Sequence, residues 1–272
     1  MAYRVQLDNR LKRADLALLV PCYNADRYIE ELGKNINELR SNCEFDVIFM
    51  DDGSKVPLTN IIRDEISCVI LRSNENIGLV RTLNAGIRWA LDEGYMFLAR
   101  QDADDKSLPQ RFSRQIELLR AEETVLCVSG CRIVDEDGRV IMNRYVPSEK
   151  RRIKRSVYIR NPFAHSSFMF NLRNIERLGL YDEARVRSQD YELIFRAVRN
   201  NVLSVCDEIL VEYKMSSDNI SSKRFYQAVD DLKIAWAYRE LNIWSMLGLV
   251  KKTLLLVIPR RELTWLQRVI LK

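Results

Sequence analysis

Three carboxylates crowd into Asp102-Ala103-Asp104-Asp105, directly after the apolar run Met96-Phe97-Leu98-Ala99. Acids this close repel one another unless a cation neutralises them. An all-oxygen donor set suits Mn²⁺ or Mg²⁺, which such sites hold with one or two carboxylates plus substrate phosphates. The alternative is a solvated turn that caps a helix beginning near Leu108-Pro109, because Asp and Pro favour helix starts. A second acidic strand end, Asp51-Asp52-Gly53-Ser54, weighs against a mere cap. A further acid, Asp190, sits in Arg187-Ser188-Gln189-Asp190-Tyr191-Glu192. At a helix start its charge is favoured by the macrodipole, and an ionised carboxylate there can also deprotonate an acceptor hydroxyl. His165, the single histidine, lies in Asn161-Pro162-Phe163-Ala164-His165-Ser166-Ser167. It is either structural or a contact to metal, diphosphate or acceptor.

These residues need a scaffold that gathers them, and the apolar runs supply one. Leu16–Val20 is short and continuously apolar, as expected of a buried parallel strand, and it ends at Pro21-Cys22-Tyr23-Asn24. An amphipathic helix follows over Asp26–Leu39, then a strand over Phe45–Met50 that ends in the Asp51 motif. A helical segment over Leu58–Glu65, a strand over Cys68–Arg72 and a helix over Leu83–Leu91 lead to the strand before Asp102. Beyond it the pattern predicts a helix over Gln110–Ala121, an apolar run Val125–Ser129, and a hairpin with an Asp137-Gly138 turn. A basic surface segment over Arg144–Arg160, a short strand near Phe168–Phe170 and a helix over Asp190–Arg199 come next. The expected fold is α/β, a doubly wound and mostly parallel sheet with a small antiparallel part and a C-terminal helical appendage. Ligands in such sheets bind at the carboxyl ends of the strands, where Pro21–Asn24, Asp51–Ser54 and Asp102–Asp105 all fall.

A nucleoside diphosphate would find there backbone partners around Tyr23, the Asp52 carboxylate, and a cation on the acidic cluster. Neither GxxxxGK[ST] nor GxGxxG occurs, so phosphate charge must be met by metal and by Arg or Lys, with Arg81 and Arg100 nearby in sequence. The missing dinucleotide fingerprint also argues against a dehydrogenase.

In order and spacing, the motifs resemble the family 2 glycosyltransferases, inverting enzymes with the GT-A fold. The resemblance runs from Leu16 to Lys214. It comprises Pro21-x-Tyr23-Asn24, Asp51-Asp52-Gly53-Ser54, Asn76-x-Gly78 with Asn84-x-Gly86, Asp102-x-Asp104 with Asp105, Pro109-x-Arg111, and Gln189-Asp190-Tyr191-Glu192-Leu193. It implies that Asp52 bonds uracil with Tyr23 beside it, that Pro21, Asn24 and Arg81 belong to the same nucleotide site, and that Asp102 touches the ribose. It further implies that Asp104 binds Mn²⁺ or Mg²⁺ and Asp190 is the base, with Asp105, like His165, a candidate contact to acceptor or diphosphate. One departure is Gln189, which stands where the family often has a second acid. The His165-Ser166-Ser167 segment is similar to that of cell-surface polysaccharide members, and this points to a lipid-linked saccharide acceptor; a UDP-sugar is the favoured donor, with dTDP- and GDP-sugars as alternatives. The rivals are a sugar-nucleotide nucleotidyltransferase, whose Gly-rich loop is missing from PCYNADRY, an Asp-nucleophile phosphohydrolase, and a non-catalytic nucleotide-binding protein at a membrane.

The 272 residues suffice for one large domain plus an appendage, expected at 1–222 and 223–272. Net charge is +5, yet ten Lys/Arg against four Asp/Glu fall from Lys223 onward, so the excess is C-terminal. Mixed there with Trp244, Trp265 and aliphatics, it suggests helices lying on an anionic membrane surface or packing on another subunit, and not a nucleic-acid binder. Six scattered cysteines form no zinc pattern, and no run of about 18 uncharged apolar residues exists to span a bilayer. The expected location is the cytoplasm, with contact to the inner face of the membrane.

Overall fold

The computed structural model describes residues 3–10, 13–62, 66–121, 123–215 and 224–257. Ten strands form one mixed sheet in the order β1-β4-β3-β2-β5-β9-β7-β10-β6, with β8 paired on β7. The strands β2 (Leu16–Cys22), β3 (Asp46–Asp51), β4 (Val69–Ser73) and β5 (Phe97–Arg100) are mutually parallel, so their carboxyl ends open on one edge. Antiparallel pairing then joins β5 to β9 (Met169–Asn171) and β9 to β7 (Leu126–Val134), while β10 (Leu203–Lys214) runs parallel to β7. The edge strands are β1 (Tyr3–Asp8), antiparallel to β4, and β6 (Lys106–Ser107), antiparallel to β10. The hairpin of β7 with β8 (Val140–Arg144) closes through the expected Asp-Gly turn.

Both faces of the parallel half are covered, and period-2 alternation decides which side chain faces which helix. Ala17 and Leu19 of β2 join Met50 and the α2 (Leu79–Asp92) residues Leu83 and Ile87 in one core. Leu16, Leu18 and Val20 join Phe49, Leu32 and Ile36 of α1 (Ile29–Arg40) and Phe112 of α3 (Arg111–Leu119) in the other. All six residues of β3 are buried, which explains its unbroken apolar run. Four further helices complete the fold on the β7–β10 side: α4 (Lys150–Ile159), α5 (Gln189–Arg199), and the pair α6 (Arg224–Ala237) and α7 (Ile243–Val257).

Several elements differ from the sequence expectation. The segment after Pro57 makes a 3₁₀ turn, Leu58–Asn60, with the Leu58 amide donating to the Asp51 carboxylate at 3.2 Å, and residues 63–65 lie outside the described set. The helix expected over Leu83–Leu91 starts at Leu79, after Gly78. Tyr3–Asp8 and Leu203–Lys214 carry no clear strand pattern in the sequence, yet both are strands. In β10 the pairing register slips between Cys206 and Ile209, and exposed Asp207 and Glu208 in that bulge break the alternation that would mark a strand. The C-terminal helices expected to reach Lys272 are described as far as Val257, and the Trp265 segment lies outside the described residues. Among the described residues no helix is long and apolar enough to cross a membrane.

Packing of α2 on β2 depends on Gly86, where an added Cβ would sit 2.5 Å from the Cδ1 of fully buried Leu19. Alanine would recover up to about 1 kcal/mol of helix propensity, which offsets much of that crowding. A larger β-branched side chain has no such compensation. Gly86→Val should therefore lower unfolding free energy by about 1–3 kcal/mol in urea titration; unchanged stability would show that α2 does not seat here as described.

Candidate functional site

The β2 and β3 ends are stitched into one floor by their own loops. The Asn24 amide donates to Ser54 Oγ at 3.0 Å, and the Lys55 amide donates to Asn24 Oδ1 at 2.9 Å. Asn24 itself adopts φ 50°, a left-handed conformation that Asn tolerates better than most residues. Asp51 is wholly structural: it accepts the Ser54 and Leu58 amides and pairs with Arg72. Asp52 is 4% exposed and accepts the Ile77 amide on Oδ1 and the Gly78 amide on Oδ2, both at 2.9 Å. Tyr3 of β1 adds a hydroxyl to Oδ1 at 3.1 Å and shares it with Thr82 at 2.8 Å. Each carboxylate oxygen has two lone pairs, so Oδ2 keeps an acceptor position. Gly53 is required at φ +72°, since a Cβ would lie 2.6 Å from the Glu75 backbone. Tyr23 beside this floor is half exposed, a ring face open to a planar ligand.

The acidic cluster lies next along the edge, in the turn between β5 and β6. One oxygen from each of Asp102, Asp104 and Asp105 falls within 4.8 Å of the others. The three are not equivalent. Asp105 is buried, takes the Lys214 amide at 2.9 Å and the Ser166 hydroxyl, and so anchors the turn to β10 and to the His165–Ser167 turn. Asp102 pairs with Arg100. No other residue donates a hydrogen bond to the Asp104 carboxylate among the described residues. Burial and then the Asp102 charge raise the Asp104 pKa, and burial with both neighbouring acids raises Asp105 well above the usual carboxylate range. One buried guanidinium against three carboxylates leaves the turn short of positive charge. The donor set is all oxygen, with Asp104 unengaged, and therefore fits a hard divalent cation.

Arg100 and Ser166 organise this turn. Ser166 Oγ accepts from Arg100 Nη1 at 3.1 Å and from the Asp102 amide at 3.0 Å, and gives its proton to Asp105, which uses its full capacity. Burial, the largest cause, works to lower the Arg100 pKa, but Asp102, Tyr181 and Asp105 together outweigh it and the net shift is upward. Behind the turn, Arg111 of the Pro109-x-Arg111 motif donates to the Arg100 and Phe168 carbonyls at 2.8 and 3.1 Å and to Ser107 Oγ at 2.7 Å. Burial and then Arg100 bring its pKa down to about 9, so it stays charged at neutrality without a carboxylate partner.

Asp190 opens α5 after Ser188, whose φ of 55° marks the sharp entry. Its Oδ2 accepts from Asn161 Nδ2 at 2.7 Å, and Asn161 is fixed in turn by the Phe163 amide at 3.1 Å. Burial is the main cause that raises the Asp190 pKa to about 6, opposed by the Tyr191 amide and by Arg100. The group is thus ionised at neutral pH yet more basic than a solvated Asp, as a general base should be. His165 Nε2 lies 2.8 Å from the Tyr181 hydroxyl and is edge-on to Phe168. Burial and then Arg100 push its pKa well below the usual value, so the ring is neutral. The charges of Asp190 and Asp102 both act on Tyr181, and Arg100 acts on both acids and on His165, so these groups lie within electrostatic range of one buried cation.

The strand-edge geometry thus brings together Pro21, Tyr23, Asn24 and Asp52, and Asp102, Asp104, Asp105, His165 and Asp190 share the Arg100 field. Arg81 adjoins the Asp52 end of this edge: its exposed side chain lies 3.8 Å from Glu183 and lines a pocket with Trp89 and with Tyr3 and Ile77, the residues that bond Asp52. Sequence reasoning missed Tyr3, Asn161 and the role of Ser166. Only tertiary contact reveals the first two, whereas Ser166 lay inside a segment already singled out. The Asn84-x-Gly86 motif also gains a cause, because Asn84 pins the Tyr181 backbone through both its amide and carbonyl at 3.0 and 2.9 Å.

Comparison with known proteins agrees with this geometry. Residues 17–179 match the family model described as glycosyl transferase family 2. The amylovoran biosynthesis glycosyltransferase AmsE of Erwinia amylovora is 24% identical over 220 residues, 76% of this chain and 79% of AmsE. The O-antigen biosynthesis glycosyltransferase WbnJ of Escherichia coli is 28% identical over 58% of each chain. The structure of S. aureus TarS 1-349 with UDP-GlcNAc aligns with a TM-score of 0.60 at 16% identity, covering 81% of this chain and 65% of that one. Mannosyltransferase PcManGT from Pyrobaculum calidifontis, with GDP-Man and Mn²⁺, aligns with a TM-score of 0.62 at 14% identity, covering 93% and 72%. These solved structures establish the GT-A fold for the chain.

The Asn161 bond stabilises ionised Asp190, so its loss must raise the carboxyl pKa further. Carbon-13 carboxyl titration should place Asp190 near 6 and move it upward in Asn161→Ala. A midpoint that stays put in the variant would show that Asn161 does not tune this group.

Proposed function

The chain belongs to glycosyl transferase family 2, and for a glycosyltransferase with a nucleotide-sugar donor we propose an inverting, metal-dependent transfer from a UDP-sugar to a saccharide hydroxyl. The observation that carries this reading is the division of labour among the acids. Asp190 is a lone carboxylate with a pKa raised to about 6 and held by Asn161, whereas Asp102, Asp104 and Asp105 form a crowded, cation-deficient cluster. One site suits proton removal and the other suits a diphosphate.

In this mechanism Tyr23 offers its ring face to the uracil, with Pro21 and Asn24 shaping the loop, and Asp52 meets the base edge through its remaining acceptor position. Asp102, partly exposed beside Arg100, faces the ribose. Asp104, with Asp102 alongside, would hold Mn²⁺ or Mg²⁺, which when bound supplies charge neutralisation for the leaving diphosphate. Asp105 keeps the turn in place from behind. Arg81, held only by a long contact to Glu183, is free to swing toward a phosphate. His165, neutral and bonded to Tyr181, lies against the acceptor side. Asp190 takes the acceptor hydroxyl proton as the oxygen bonds to the anomeric carbon, and the bond from that carbon to the diphosphate oxygen breaks on the opposite face. A single displacement inverts the anomeric centre. Residues 1–222 form the catalytic unit and 223–272 the appendage in this reading.

The acceptor we assign is a lipid-linked saccharide met at the inner face of the cell membrane. Its support is the polysaccharide context of AmsE and WbnJ together with the His165-Ser166-Ser167 segment.

Release of free nucleotide from UDP-, dTDP- and GDP-sugars, with Mn²⁺ and with chelator, tests the donor and the metal. Slow, metal-dependent release from a UDP-sugar is expected, because water stands in weakly for the acceptor; absence of binding to any donor would sink the assignment. Asp104→Asn should abolish the metal dependence of nucleotide binding with the fold intact. Asp190→Asn should lower transfer by about 10²–10⁴-fold while nucleotide binding persists. Transfer retained in Asp190→Asn would remove the base assignment.

A further inference from the structure

Helix α7 is built inside out. Its buried stripe is Ser245, Gly248 and Lys252, spaced by three and four residues. Gly248 lets the helix approach α4 so closely that a Cβ would sit 2.2 Å from the Tyr158 carbonyl. The opposite stripe, Ile243, Met246, Leu247, Val250 and Leu254, is apolar and 46–66% exposed among the described residues. A helix docked on a water-soluble core presents the reverse pattern.

The surface beside that stripe is cationic. A shallow pocket between α4 and α7 is lined by Arg152, Arg155, Ser156, Ile159, Arg160 and Trp244. Arg155 lies over the Trp244 ring at 5.1 Å. Lys251 of α7 faces Arg160, and burial with that like charge lowers its pKa. Lys154 is neutralised by Glu240 at 2.8 Å, but no carboxylate pairs with Arg152, Arg155, Arg160 or Lys251 among the described residues. Four converging cations without a counter-ion form a phosphate-binding surface, and the adjoining apolar row has the depth to enter an acyl boundary.

The geometry points to α7 and the exposed face of α4 as a docking surface for an anionic phospholipid bilayer, with Arg152, Arg155, Arg160 and Lys251 on lipid phosphates and the Ile243–Leu254 stripe below the headgroups. This deepens the lipid-linked acceptor reading by giving it a membrane-facing side. Vesicle binding is measured without turnover, so either claim can fail alone.

The test is sedimentation of the full chain with phosphatidylcholine vesicles, with and without phosphatidylglycerol. Binding to the phosphatidylglycerol vesicles at low salt is expected, with little to phosphatidylcholine alone. Arg152→Glu with Arg155→Glu should reduce the bound fraction at least about tenfold. Leu247→Ser with Val250→Ser should reduce it comparably. All four side chains are exposed, so melting temperature and basal nucleotide release should be unchanged in both variants. No sedimentation with anionic vesicles, or undiminished binding in both variants, overturns the proposal. Gel filtration gives an independent check: a dimer that the Leu247→Ser, Val250→Ser chain loses without vesicles would assign the stripe to a second copy and overturn it too.

Discussion

The ion pair between Arg100 and Asp102 is the constraint around which the site is arranged. Arg100 ends β5 at 1% exposure, and its side chain cannot return to water. A buried guanidinium costs several kcal/mol unless anions and acceptors surround it. Asp102 and Ser166 supply these, while the Arg100 amide and carbonyl are held by the Phe168 carbonyl and by Arg111. Arg100 Nε has no hydrogen-bond partner among the described residues, a penalty of about 1–3 kcal/mol for a buried donor. The arrangement persists because attraction to the neighbouring carboxylates exceeds that loss. The same cation also explains why Asp105 and Asp104 can sit so close to Asp102, for without it the turn would carry only negative charge.

That arrangement settles position more than stability. Ion pairs of this kind contribute little net folding energy compared with apolar side chains of the same volume, but they admit few alternative geometries. The clamp behind the turn works the same way. Gln101 donates to the Asp105 carbonyl at 3.0 Å, and Asn35 of α1 exchanges two hydrogen bonds with the Ser107 backbone at 2.9 and 3.0 Å. The acidic turn is therefore tied to α1, α3, β10 and the His165–Ser167 turn at once. A carboxylate site held by so many backbone contacts needs little reorganisation when a charged ligand arrives, which is the condition for electrostatic stabilisation of a leaving group.

How much of this the sequence carried depends on the range of each interaction. The parallel half was legible because Leu16–Val20 and Asp46–Met50 are buried on both faces, so burial alone writes their pattern. The acidic loops were legible because charge is conspicuous after an apolar run. Tyr3–Asp8 was not, since an edge strand half in water carries Arg4, Gln6 and Asp8 between its apolar positions. The β10 strand was hidden by its bulge. Tyr3 reaches Asp52 across 49 positions and Asn161 reaches Asp190 across 29, and no local pattern encodes such meetings.

The C-terminal helices connect to the proposed base through the stripe that α7 buries. Lys252 Nζ donates to the Tyr158 and Ile159 carbonyls at the end of α4, where a cation meets the negative end of the helix dipole. Its ammonium also lies 5.3 Å from the Tyr191 ring centroid, and the Tyr191 hydroxyl returns to the Val157 carbonyl. Burial brings the Lys252 pKa down to about 8, so the charge is retained at neutrality. Two residues beyond Ile159 the chain reaches Asn161, the partner of Asp190, and Asp231 of α6 receives the Ser188 hydroxyl at the entry to α5. The entry to α5 before Asp190 is thus held by α6, and the end of α4 that leads to Asn161 is held by α7. Burying a lysine for this purpose forces the apolar side of α7 outward, because a helix cannot turn both stripes to the core. The outward stripe is then a consequence of how the base is held, and an apolar surface created in that way needs something other than water against it.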